Sequence, residues 1–212
     1  MKQILLLIAA IATVGCFNQN EKRNIFVATI MFSDSIPKNY VDTITQLEKL
    51  STSLNYDSLG QLISKIRFDV KTNNLIDYEN GKIPWIRIDS PQIDIKNLIG
   101  KDEMVIPETR LTIFIDYPLS SSCKFILVSK SGFTKTQLIE EISKHYYQIY
   151  DEEEKSATIK TVPPRERKIY NRNQTNGKYG IWGHDIGDLV LDEIHVYKSV
   201  SGEVFLVLQI ES

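Results

Sequence analysis

From Thr109 to Tyr117 the side chains alternate: Leu111, Ile113, Ile115 and Tyr117 fall on one face, Thr112, Phe114 and Asp116 on the other. A two-residue period predicts a strand. Pro118 to Ser122 reads as a turn and Lys124 to Ser129 as a returning strand, so a hairpin is expected, closed off by Gly132. The period then changes. Thr134, with Gln137 three residues on, has the form of a capping box. The stripe Leu138, Ile139, Ile142, Tyr146, Ile149 and Tyr150 recurs at helical spacing. Asp151 to Glu154 put negative charge where a helix C-terminus disfavours it, so the helix is expected either to stop near Tyr150 or to run well past it.

A long polar stretch with Pro163-Pro164 and a basic cluster follows. Leu189 to Tyr197 then reads as a strand whose phase slips between Leu191 and Ile194, which predicts a bulge at Asp192-Glu193. Val204 to Ile210 is apolar on both faces over its first five residues, as expected of a central strand covered on both sides.

The first part of the chain, 25–104, is less regular. Ile25 to Phe32 is apolar and strand-prone. Pro37 opens a helical pattern carried by Tyr40, Val41, Ile44, Leu47 and Leu50. Asp57 or Ser58 is expected to cap a second short helix with Leu59, Leu62, Ile63 and Ile66 on its stripe. Phe68 and Val70 suggest a short strand, and Asn73 to Gly100 an ordered but irregular connection anchored by Trp85, Ile86 and Ile88.

The order strand, strand, helix, long loop, strand, strand, with the last strand central beside the first, resembles the β-grasp or ubiquitin-like fold. The hairpin, the helix opening at Gly132-Phe133-Thr134 and the doubly apolar last strand carry the resemblance. The fold class expected is therefore α+β. A β-grasp-like domain at 105–212, with a mixed sheet and one packed helix, follows a small, mostly helical unit at 25–104. The chain ends Ile210-Glu211-Ser212, without the diglycine tail of ubiquitin itself.

The leading segment carries a different signal. Lys2 precedes an unbroken apolar run from Ile4 to Ala12, and no further charge occurs before Glu21. The run is too short to cross a bilayer but suits a signal peptide. The following Thr13-Val14-Gly15-Cys16 resembles a bacterial lipobox, departing from it at Thr13, where Leu is usual. The resemblance implies a lipoprotein precursor in which 1–16 is the signal region and Cys16, carrying palmitate-type acyl chains, becomes the first mature residue. Residues 17–24 would be a polar tether. The implied location is the bacterial cell envelope, lipid-anchored at the outer membrane on its periplasmic or surface side, with the membrane itself as a partner through Cys16. Cys123 then has no intramolecular disulfide partner.

Composition narrows the function classes further. The 212 residues are 42% apolar and 25% charged with a net charge of −2, so no bulk positive field favours nucleic acid. Asn171 to Leu189 holds Gly177, Gly180, Gly183 and Gly187 around Trp182, His184, Asp185 and Asp188. One reading makes 171–188 a binding loop, with Trp182 as an apolar surface and His184, Asp185 and Asp188 as polar recognition. The other makes it a structural plug, with Trp182 closing the sheet edge and Asp185 capping a turn. Arg165, Arg167, Lys168, Arg172 and Lys178 form the main local charge bias, suited either to an acidic ligand or to pairing with Asp151 to Glu154. Three histidines without paired spacing give no metal site, and Ser120-Ser121-Ser122 lacks a nucleophile-elbow motif. No catalytic residue and no cofactor is assigned. The expectation is a non-enzymatic envelope lipoprotein that binds an envelope protein or ligand through 171–188. The alternatives are an envelope hydrolase using His184 with Asp185 or Asp188, and an immunity or inhibitor protein.

Overall fold

The computed structural model describes residues 40–52, 55–168 and 170–212. Cys16, the tether and the strand expected at 25–32 lie outside the described residues. The described chain is mixed α and β and forms two compact units, each assembled from separated stretches. Helix α1 (Tyr40–Thr52), residues 116–123 and residues 152–183 make one, here the loop unit. Residues 55–115, 124–151 and 184–212 make the other, the sheet unit.

The sheet unit is built on strands β1 (Gln61–Arg67), β4 (Ile86–Arg87), β6 (Arg110–Ile115), β7 (Cys123–Val128), β9 (Val190–Lys198) and β10 (Val204–Glu211). Their order is β1-β9-β10-β6-β7, with the two-residue β4 also paired to β9. β10 runs antiparallel to β9 and parallel to β6, so the sheet is mixed and the last strand lies inside it. Leu206 and Leu208 point to one face and Val207 to the other, all buried, as its unbroken apolar run requires.

Each face has its own cover. Helix α3 (Lys135–Ser156) buries Leu138, Ile139, Ile142, Tyr146 and Ile149 completely. His145 of this helix stacks on Phe125 of β7 with ring centroids 4.0 Å apart, which puts the helix on the Phe125 face of the sheet. The other face holds a second cluster, Leu59, Phe114 and Val207, with Tyr56, Tyr197 and Phe205 packed against it. The capping box forms as its residues predict: the Thr134 N–H donates to Gln137 Oε1 (2.8 Å) and the Gln137 N–H to Thr134 Oγ1 (3.2 Å). The bulge forms too. Glu193 opposes Gln209 and Leu191 opposes Ile210, leaving Asp192 as the extra residue.

The second helix expected at 58–66 does not form. Asp57–Leu59 is a single 3-10 turn, and Gln61–Arg67 is an edge strand, β1, paired antiparallel to β9. Six of its seven residues are exposed, so no alternation was there to be read. Gly60 marks the change: its φ is +116°, and a Cβ on it would sit 2.2 Å from the Lys198 carbonyl oxygen. Between β1 and β6 the chain is irregular, as expected. β2 (Val70–Lys71) pairs with β3 (Lys82–Ile83), and a short helix α2 (Pro91–Ile95) follows. Phe68, Ile86 and Ile88 are wholly buried, Trp85 only partly. β5 (Met104–Ile106) pairs with β8 (Phe133–Thr134) and steadies the start of α3, where the Lys101 carbonyl accepts both the N–H and the hydroxyl of Thr136.

Candidate functional site

The stretch 171–188 divides between the two units after Gly183. Its first part belongs to the loop unit and is held from three directions. The 179–182 segment lies against 118–121: Ser120 N–H donates to Gly180 O, Ser121 N–H to Tyr179 O, and Trp182 N–H to Pro118 O. On its other side Thr175 N–H donates to Ile181 O, and Arg172 N–H to Gly183 O. The result is a small ribbon of three chain segments.

Polar side chains complete it. Asn173 Oδ1 accepts the Val162 N–H, while its Nδ2 donates to Lys160 O. Asn176 Oδ1 accepts the N–H groups of Thr158 and Ile159. The two carboxamides thus take the place of missing strand partners for 158–162.

The centre of the arrangement is Glu153, in the last turn of α3 and wholly buried. One carboxylate oxygen accepts the Thr175 hydroxyl and the Gly177 N–H, both at 2.7 Å. The other accepts the N–H groups of Tyr179 (2.7 Å) and Gly180 (3.1 Å). A buried carboxylate is tolerated only with such satisfaction. Gly177 is required for the approach, since a Cβ there would lie 2.6 Å from Ser156 Oγ and 2.7 Å from Glu153 O. Next door, Glu152 Oε2 accepts both Lys178 Nζ (2.7 Å) and the Tyr179 hydroxyl (2.6 Å). Burial and the bond to Glu152 push the Tyr179 phenol up to about 12, and the bonds to Glu152 and Tyr179 hold the Lys178 ammonium above its ordinary value. These donors account for the acidic run at the end of α3, and the helix runs on to Ser156.

Trp182 is 1% exposed and meets Tyr117 edge-on, with centroids 5.3 Å apart. The Tyr117 hydroxyl in turn donates to Glu48 of α1. Trp182 is thus part of the core of the loop unit. Arg172 is 4% exposed and reaches Thr161 Oγ1, and Arg167 Nε donates to Val162 O. Of the basic cluster, Arg165, Lys168 and Lys178 are the exposed members.

His184, Asp185 and Asp188 belong to the sheet unit. Asp188 Oδ2 accepts the Asp185 N–H at 2.8 Å and closes the 3-10 turn Ile186–Asp188. The His184 carbonyl accepts the Tyr150 hydroxyl, and its Nε2 lies 3.4 Å from Ser212 Oγ at an exposed position. Ser120, buried, donates its hydroxyl to Gly180 O.

Sequence reasoning missed Glu153. The available signal was the misplaced acid run at 151–154, followed by a segment rich in Asn, Thr and Gly, residues that leave backbone N–H groups accessible. Among the described residues no group of His, Cys, Asp and Glu side chains is arranged to hold a metal ion, and no helix is long and apolar enough to cross a membrane. No family model matches the chain, and comparison with curated proteins and with solved structures finds no match.

Proposed function

We propose that this protein is a non-enzymatic interaction module, held on a bacterial envelope membrane by lipid on Cys16, with a β-grasp-like core and the 171–188 stretch as a recognition loop of fixed shape. The topological part of the reading rests on the order β7-β6-β10-β9, with β10 parallel to β6 and α3 following the β6–β7 pair. The interaction part rests on one observation: four hydrogen bonds to the Glu153 carboxylate fasten 175–180 to the last turn of α3. A loop ordered before it meets its partner loses little entropy on binding. Its exposed residues are Lys178 in the loop unit and Gly187 in the sheet unit. Asp188 Oδ2 accepts the Asp185 N–H and the Ser120 hydroxyl donates to Gly180 O, contacts that favour a loop of fixed shape.

Two arms test this. Cys16→Ser should move the full chain from the detergent phase to the aqueous phase in a phase-partition assay, and unchanged partitioning would overturn the anchor. Partners cross-linked in detergent-solubilised envelope should be recovered at least about tenfold less well by Lys178→Glu and Gly187→Arg, the scale of an interface hot spot. Undiminished recovery by both, with the circular dichroism of the native protein, would overturn the loop as the binding surface.

A further inference from the structure

Among the described residues the five-strand path of the sheet ends at β1 on one side and β7 on the other, and the two edges are finished differently. On β1 the register slips between Leu62 and Ser64. Lys65 is tied to Glu193 at 3.0 Å, and Glu193 also accepts from His195 at 2.7 Å when the ring carries that proton. Bulges and charges of this kind keep foreign strands off an edge. On β7 the middle of the strand is apolar and open: Ile126 is 55% exposed and Val128 70%. The Lys124 ammonium lies 4.9 Å over the Phe114 ring of the neighbouring strand. Alternation places Lys124, Ile126, Val128 and, just past the strand, Lys130 on one face. Lys130 and Arg110 are exposed, and no acidic residue occurs between Ser120 and Gln137.

We propose that β7 accepts an added strand from a partner protein, an extended segment carrying acid, apolar, apolar and acid side chains at successive alternate positions. Backbone pairing supplies the attachment and the side-chain row supplies the choice of sequence, the mode of β-strand addition. The two β-branched residues take the apolar pair, and Lys124 and Lys130 take the outer acids as opposite-charge cross-strand partners. Charge selects this occupant over a second copy of the chain. Two β7 strands paired antiparallel about Leu127, the register that sets Ile126 against Val128, would put Lys124 of each against Lys130 of the other. This surface lies outside the 171–188 stretch, and the proposal stands independently of the loop reading.

The probe is a capped, fluorescein-labelled heptapeptide, Glu-Thr-Val-Thr-Val-Thr-Glu, titrated against the full chain by anisotropy. It should bind saturably and about tenfold more tightly than the same peptide with Lys for Glu, the combined scale of two cross-strand charge pairs. In an antiparallel pair alternate residues point their N–H groups to the neighbour. N-methylation of one alternate set of peptide amides should therefore abolish binding, while methylation of the other set should not. Ile126→Lys should weaken binding about tenfold. If that variant loses native circular dichroism, Lys130→Glu, outside the strand, should instead bring the affinities of the Glu and Lys peptides for that variant close together, one charge pair being attractive and the other repulsive for each. No saturable binding, equal binding of the Glu and Lys peptides, or indifference to both methylation patterns would overturn the proposal. So would sedimentation of the chain alone as a dimer that Val128→Lys disrupts, since the occupant would then be a second copy.

Discussion

The Glu153 carboxylate receives the backbone N–H of Tyr179, 26 residues further along the chain, at 2.7 Å and in a fully buried position. Three more donors share that carboxylate, so a single side chain fixes the path of six residues. Glu153→Gln keeps the shape but turns an amide NH2 toward backbone N–H groups. The expected cost is about 2–4 kcal/mol, since bonds to a charged acceptor are the strong ones and a buried donor left facing a donor is penalised. Urea unfolding measures it, and a change below about 0.5 kcal/mol would show the carboxylate to be dispensable.

Trp182→Ala tests whether the tryptophan is core or contact surface. At 1% exposure against Tyr117 its removal should cost about 3–5 kcal/mol. Ile142→Ala, in the wholly buried stripe of α3, should cost about 2–5 kcal/mol. Thermal denaturation of both variants gives the comparison. A Trp182→Ala protein as stable as the parent would return the residue to the surface.

The capping box offers a smaller and cleaner effect. Gln137→Ala removes the side chain that accepts the Thr134 N–H and should destabilise the protein by about 0.5–1 kcal/mol, with the far-ultraviolet spectrum unchanged. No loss on denaturant unfolding would mean that solvent satisfies Thr134 equally well.

His145 sets a pH dependence. Burial against Phe125 lowers its pKa below the ordinary 6.5, and Gln148 and Glu141 counter this only in part. Its Nε2 is buried without a hydrogen bond, 3.9 Å from the nearest Glu141 oxygen. The unfolded chain therefore binds this proton more readily than the folded one. Stability from this group is complete above pH 6.5 and is lost as pH falls from there through the lowered folded value. Glu108 and Glu193, both held below 4.5, act only in a more acid range. For Glu193 the bonds from Lys65 and His195 prevail over burial. His145→Gln should flatten the stability curve in the interval just below pH 6.5 while leaving the more acid decline in place. An unchanged slope in chemical denaturation across that interval would refute the assignment.

What could be read from the sequence was what local pattern encodes. The capping box at Thr134 and Gln137, the slip at Asp192 and the two-sided apolar run of β10 each depend on residues within a few positions of one another, and each formed. β1 was misread because Leu59, Leu62, Ile63 and Ile66 satisfy a helical stripe. Only pairing with β9 and the backbone of Gly60 decide otherwise. The loop residues were legible both as a binding loop and as a structural plug, but the partners that would decide between the two were not. Nothing near Arg172 or Trp182 in sequence says that Thr161 and Tyr117 will surround them, and nothing near Glu153 supplies its donors. The glycine density that suggested recognition is accompanied, over 171–180, by Asn and Thr side chains that hydrogen-bond the backbone of 158–162 and the Glu153 carboxylate.

The position of β10 also governs the order of assembly. Leu206 pairs with Ile113 across most of the second half of the chain, whereas β6 with β7 and β9 with β10 are joined by short turns. The hairpins can close locally, but the sheet becomes one object only when β10 docks beside β6, a step that carries the loop-closure entropy of everything between. Pulse-labelled amide exchange should therefore show protection at the β9–β10 pairing before protection at the β10–β6 seam. Until that seam closes, one flank of β10 and one of β6 stand open, which makes this the interval in which the chain is most exposed to pairing with the wrong neighbour.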